Sequence, residues 1–203
     1  MRKAILSFSL FVCLVNICFA QSNEFTPLEA PLEQRDKLRP LMDFIQIAGS
    51  KYFNIYSSKE ADLLKLIRRL DIRSGYLLMS VASSTQEQQQ GMLADIVDAI
   101  FLEACDVLHM YLYSFKGNIK ICQNQKELNE VFRKFSERDL DMHSFYVHNT
   151  NSIYINMGNI RPEYLAREIA HAIIAHYFVV LPPAEVRETL AKDVGYQIKK
   201  LAK

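Results

Sequence analysis

The chain has 203 residues, half of them hydrophobic and 23% charged, an ordinary globular balance with enough length for one solid core. Its 24 basic and 23 acidic side chains leave +1, so no basic surplus points to nucleic acid. Only six glycines occur, none of them in a phosphate-cradling loop, and no G-x-S-x-G nucleophile elbow is present.

The N-terminus reads as a secretory signal peptide over 1–20. Arg2-Lys3 is the basic start, Ala4 to Ile17 is almost wholly apolar, and Cys18-Phe19-Ala20 ends on a small residue before polar Gln21-Ser22-Asn23-Glu24. The run is shorter than the roughly 20 residues of a membrane span. Export to a periplasm or the exterior is therefore expected, and an uncleaved anchor at 4–20 is the minor alternative and the only route to a membrane. Loss of Arg2 and Lys3 leaves 22 basic against 23 acidic side chains, a net −1.

Residues 21–49 form a proline-punctuated arm (Pro27, Pro31, Pro40) with a short helix predicted from Leu32 to Ile47. The domain proper is expected over 50–203. "KYFNIYS", 51–57, is aromatic and β-branched and predicts a strand. Ser58 is the expected cap of a helix over 59–70, with Leu63, Ile67 and Leu70 on one face. "GYLLMSVA", 75–82, predicts another strand. A polar connection leads to a long helix over about 88–109, with Leu93, Ile96, Val97, Ile100, Phe101, Ala104 and Leu108 in phase. "NIKIC" predicts a strand, and Gln125 to Arg138 an amphipathic helix. "SFYVHNTNSIYINM" predicts a hairpin around Asn149-Thr150-Asn151. Pro162 opens a helix to about Phe178. Pro182-Pro183 stops it and starts a last helix over about 183–201, with Val186, Leu190, Val194, Ile198 and Leu201 expected inward. The sum is one mixed α+β domain.

Two cysteines remain after signal removal, Cys105 and Cys122. Export permits a disulfide between them. Side-chain direction favours free thiols: Cys105 lies on a helix stripe, and Cys122 on the Lys120 side of a strand whose other face carries Ile119 and Ile121. Both states stay open.

Near the C-terminus, "AREIAHAIIAHYF", 166–178, spells most of the zinc-protease signature H-E-x-x-H. In that signature two histidines four apart on a helix face one metal, and the glutamate between them serves as base to the metal-bound water. Here Glu168 and His171 hold the base and second-histidine positions, but Arg167 stands where the first histidine belongs. Arginine stays charged and has no lone pair for a metal. His176 lies about 140° round the helix from His171, so one metal does not readily take both. His143 and His148 lie in or beside the hairpin, and His148 reaches the motif helix only if the hairpin packs against it.

This order of elements resembles the peptidase-MA-like, gluzincin-type domains of exported bacterial proteins. The run R-E-I-A-H-A-I-I-A-H-Y-F over 167–178, Pro182-Pro183 and Glu188-Thr189-Leu190-Ala191 carry the likeness. "LYSFKGNIKIC" and "SFYVHNTNSIYIN" add to it, and it covers about 50–201. The resemblance implies a zincin-like α+β fold: a small mixed sheet with a hairpin edge, packed helices, and two C-terminal helices carrying the site. It implies Glu168 as a vestigial general base, His171 and Glu188 as vestigial metal ligands, and 152–157 as the edge along which a peptide or partner strand lies. Two positions depart from the pattern. Arg167 replaces a ligand, and Gly195, seven residues after Glu188, stands where another acid is usual.

The favoured expectation is a zinc-less pseudopeptidase that binds or scaffolds, with no cofactor and with an Arg167–Glu188 ion pair in the metal's place. Two alternatives remain: an active zinc metallopeptidase with altered ligands, and a purely structural envelope protein. The plainer readings of the residues are a surface Arg167, a core His171 and an exposed Glu188 paired with Lys192.

Overall fold

The computed structural model describes residues 43–72, 84–136 and 140–202. The expected signal peptide, most of the proline arm and the strand expected at 75–82 lie outside the described residues.

Three central strands are built from β-branched and aromatic runs: β2 (Phe53–Ser57), β3 (Gly117–Cys122) and β5 (Ser152–Asn156). They run parallel in the order β2-β3-β5. Among the described residues an antiparallel strand flanks them on each side, β1 (Ile45–Gly49) beside β2 and β4 (Ser144–Val147) beside β5, giving the order β1-β2-β3-β5-β4. The helix expected over Leu32 to Ile47 is thus corrected at its end. Residues from Ile45 onward pair with β2, with an irregularity between Gln46 and Ala48, so the last part of the arm belongs to the sheet.

A second correction concerns the proposed docking edge. The strand at 152–157 is interior: β5 is hydrogen-bonded to β3 on one side and β4 on the other. No strand can be added along it, because both of its ladders are in use. Among the described residues, the edge on that side of the sheet is β4.

Among the described residues, five α-helices complete the fold. They are α1 (Leu63–Leu70), α2 (Gln86–Leu108), α3 (Gln125–Phe132), α4 (Pro162–Tyr177) and α5 (Ala184–Leu201). The start of α1 is set by Asp62, whose carboxylate accepts from the Lys65 amide, and not by Ser58, whose hydroxyl donates to Glu127. Thr85 and Gln88 form a reciprocal capping box that starts α2 two residues before the expected point.

The pleat sends alternate side chains to two separate cores. On one face, Ile55, Ile119, Ile153 and Tyr146 are register neighbours across four strands, as are Ser57, Ile121, Ile155 and Ser144. The isoleucines and Tyr146 pack under α1, α2, α4 and α5. On the other face, Cys122, Phe145, Val147 and Tyr154 pack against α3. The two cysteines are consequently free thiols in different cores, Cys105 with α2 and Cys122 on the α3 side, so the possible disulfide is not formed. Burial pushes their pKa up to about 11 for Cys105 and about 12 for Cys122, so neither is a nucleophilic thiolate at neutral pH.

Candidate functional site

The site lies where α4 and α5 meet the inner face of β4. Pro162 starts α4 at a position that needs no amide hydrogen, and the helix buries Leu165, Ala166, Ile169, Ala170, Ala172, Ile173 and Ile174. Helix α5 approaches it through Ala191 and Gly195. A Cβ at 195 would stand 2.9 Å from the Glu163 carbonyl oxygen and 3.7 Å from Arg167 Cβ. This close approach rotates α5 relative to the expected stripe. Val186 and Leu201 are exposed, and the buried line runs Arg187, Ala191, Val194, Gly195 and Ile198. The rotation carries Arg187 and Glu188 to the inner side, facing α4.

There Glu188 gathers three cationic or hydrogen-bonding neighbours. Arg167 donates from Nη2 to its Oε1 at 2.7 Å, His171 Nε2 lies 3.4 Å from Oε2, and Lys192 Nζ lies 3.4 Å from Oε1. Arg167 is 20% exposed, His171 12% and Glu188 25%, so the group sits in a cleft and not in bulk water. The other terminal nitrogen of Arg167 turns to the Met142 sulfur at 3.2 Å, a weak acceptor. Partial burial alone would raise the Glu188 pKa. The hydrogen bonds and charges of His171 and Arg167 outweigh it and hold the carboxyl at about 2. The sign follows directly. A carboxyl lowered from 4.5 to about 2 adds stability above pH 4.5 and loses it as pH falls towards 2. Arg167→Ala should therefore destabilise the fold by about 1–3 kcal/mol at pH 7 and by much less near pH 2, read by urea melts at both pH values. Equal costs at the two pH values would remove the pair as the cause.

One helical step from Arg167, Glu168 is 2% exposed and accepts a hydrogen bond from the Ser144 hydroxyl at 2.9 Å. Ser144 and Tyr146 alternate on the inner face of β4, so the same pleat that builds the isoleucine rows delivers both to α4. Burial drives the Glu168 pKa upward, and His171, Arg167 and Ser144 oppose it only in part. A raised carboxyl has the opposite sign to Glu188: its contribution is present below pH 4.5 and is lost as pH rises through the folded-state pKa. Glu168→Gln keeps an acceptor for Ser144 and removes that loss. Its stability relative to the parent should be unchanged at pH 4 and should grow steadily to pH 8 in chemical denaturation. A flat difference would mean that Glu168 is ionised without cost. Two acids side by side with pKa values pushed apart suit proton exchange in general. Here, however, Glu168 is engaged with Ser144 and buried from solvent.

Ser144, Tyr146, Met142 and Arg187 are the members of the site that the motif does not spell. The first two were signalled only by the alternation in "SFYV". The remaining histidines do not join it. His148 does pack on α4, but against His176, with ring centres 5.5 Å apart. His176 Nδ1 donates to the Ala172 carbonyl at 2.9 Å, and the ring sits edge-on to Phe115. His143 engages Gln125 and Asn159.

The donor set does not fit zinc. His171 and Glu188 converge, but Arg167 fills the third position with a group that cannot ligate. Among the described residues, no group of three or more His, Cys, Asp or Glu side chains is placed to hold a metal ion. No helix among them is long and apolar enough to cross a membrane. No protein-family model, curated protein or solved structure matches the chain.

Proposed function

We propose that this chain is an exported, zinc-less relative of gluzincin-type peptidases that acts by binding an extended peptide or partner strand along the edge that β4 forms among the described residues. One observation carries the reading. The Arg167 guanidinium is paired at 2.7 Å with the glutamate that the resemblance makes a metal ligand, beside the histidine it makes the other. A fixed cation there ties α4 to α5 as a metal would, without supplying a Lewis acid or an activated water. The edge is suited to its role because, among the described residues, β4 pairs on one side only, with β5, and holds Ser144 and Tyr146 over the cleft. Adding a strand there would use main-chain hydrogen bonds for affinity and the cleft for selectivity. Export rests on the basic, apolar and small-residue order of residues 1–20.

The test is a peptide array probed with the mature chain. Extended peptides should be enriched, and N-methylation of alternate backbone amides should weaken the best of them roughly tenfold, about the worth of one ladder hydrogen bond. No enrichment, or binding indifferent to N-methylation, would leave a purely structural envelope role. Zinc-dependent cleavage of the peptides would instead favour a peptidase with altered ligands.

A further inference from the structure

We propose that the loop joining α4 to α5, residues 178–183, inserts its tip into an anionic lipid surface, with Lys51 and Lys116 meeting the headgroups. Among the described residues, five of the ten exposed large hydrophobic side chains lie in two places: Tyr111 and Tyr113 just after α2, and Tyr177, Val179 and Val180 where α4 ends. Both belong to one end of the molecule. Phe115, two residues after Tyr113, meets His176 with ring centres 5.1 Å apart, and His176 directly precedes Tyr177. The turn between β1 and β2 joins them there. Lys116 Nζ donates to the Ser50 carbonyl at 2.6 Å, and the Gly117 amide to the Tyr52 carbonyl at 2.9 Å.

Val179 is fully exposed and Val180 82% exposed, so neither side chain serves the protein's own core. Single apolar side chains scattered over a surface are ordinary, but two adjacent solvated valines beside exposed aromatics form a patch. The loop is also held in place. The Phe178 amide donates to the Ile174 carbonyl at 3.3 Å, the Phe178 ring lies edge-on to Tyr177, and Pro182-Pro183 fix two φ angles before α5 begins. A tip ordered in advance loses little freedom on insertion. Charge points to the same partner. Residues 44–59, 107–126 and 169–184, the stretches that pass through this end, contain no Asp or Glu. Lys51 and Lys116 are exposed there. The acids nearest this end are engaged or set back. Asp98 accepts from the Lys51 and Tyr52 amides, Asp106 accepts from the Tyr111 hydroxyl, and Glu185 stands in the first turn of α5. Valine in the acyl region, tyrosine at the interface and lysine at the headgroups is the order a membrane surface selects. A protein partner would have to cover roughly 800 Å² on each side, more than a projecting tip of a few side chains offers. A bilayer takes a convex tip without a matching hollow. The proposal stands whether or not β4 binds a strand.

The experiment uses the mature chain, residues 21–203, so that the apolar run 4–17 contributes nothing. Its probes are vesicles of phosphatidylcholine with and without phosphatidylglycerol. Cosedimentation should show partition onto the anionic vesicles. Val179→Ser with Val180→Ser should weaken it at least about tenfold. Lys51→Gln and Lys116→Gln should each weaken it about fivefold on anionic vesicles and leave neutral ones unaffected. All four side chains are exposed, so Tm should not change in any of these variants. A polarity-sensitive fluorophore on Val179→Cys, specific because Cys105 and Cys122 are buried, should shift to the blue with anionic vesicles. No partition, equal partition onto both vesicle types, indifference to the valine pair, or a fluorophore that stays in water overturns the proposal. Self-association abolished by the same valine pair, in a chain that ignores vesicles, would assign the tip to a second copy of this chain and overturn the lipid reading.

Discussion

Arg167→His is expected to turn this chain into a one-to-one zinc protein with a dissociation constant below about 1 μM, against no stoichiometric binding by the parent. The geometry is already one residue short of a site. Nitrogen and oxygen ligands about 2.0–2.2 Å from a tetrahedral zinc are separated from each other by about 3.4 Å. His171 Nε2 and Glu188 Oε2 are 3.4 Å apart. A histidine at 167 projects from the same face of α4 as His171, one turn earlier, so its ring enters the space that the guanidinium now fills. The substitution also removes the cation that repels a dication. Zinc at a hundred times its dissociation constant should add about 2.7 kcal/mol of stability, a rise of roughly 5–11 °C in Tm for a domain of this size. Isothermal titration and a chelator-reversible Tm shift are the readouts. If the variant folds and takes up no zinc, then α4 and α5 do not present a ligand set, and the kinship with gluzincins loses its main support. Cleavage activity is not part of the expectation, because Glu168 is bonded to Ser144 and buried away from any attacking water.

The motif helix and the hairpin were legible because both depend on local signals. Pro162 and the apolar run to Ile174 define α4, and "SFYV" and "SIYIN" are two β-prone runs on either side of Asn151, which takes φ 43° at the turn. Which of the two strands would be the edge was not legible. Both are buried on both faces, so alternation does not distinguish a strand paired twice from one paired once. That choice is made by β3, more than 30 residues upstream, which pairs with β5. The arm failed for the same reason: "IQIAG" becomes a strand because β2 offers it an edge, against a weak local preference. The face of α5 is legible only in part: Val194 and Ile198 are buried as their spacing predicts, whereas the small residues Ala191 and Gly195 are buried beside them and Val186 and Leu201 are left in solvent. Once α5 is turned that way, Arg187 and Glu188 face the cleft without further adjustment. The site is thus spelled by one helix and placed by a helix contact that no motif describes.

That contact makes Gly195 the position most sensitive to change. The gluzincin-type pattern that the sequence resembles usually has an acid there, and Gly195→Glu should leave no soluble folded chain. Even a single added carbon would lie 2.9 Å from the Glu163 carbonyl, a backbone atom that cannot rotate away. Gly195→Ala must then push α5 from α4, at the roughly 1–3 kcal/mol typical of overpacking, or about 2–12 °C in Tm. A glutamate adds a carboxylate in a helix interface where Gly195 is itself buried, so its desolvation comes on top of the steric term. The alanine variant also reports on the site at a distance. Moving α5 outward should lengthen the Arg167–Glu188 bond and release the Glu188 pKa from about 2 towards 4.5, which NMR titration of the side-chain carboxyl resolves. A Gly195→Ala protein with unchanged Tm and an unchanged Glu188 titration would mean that the helices are not held at this spacing. The ion pair would then owe its geometry to something other than the small-residue contact.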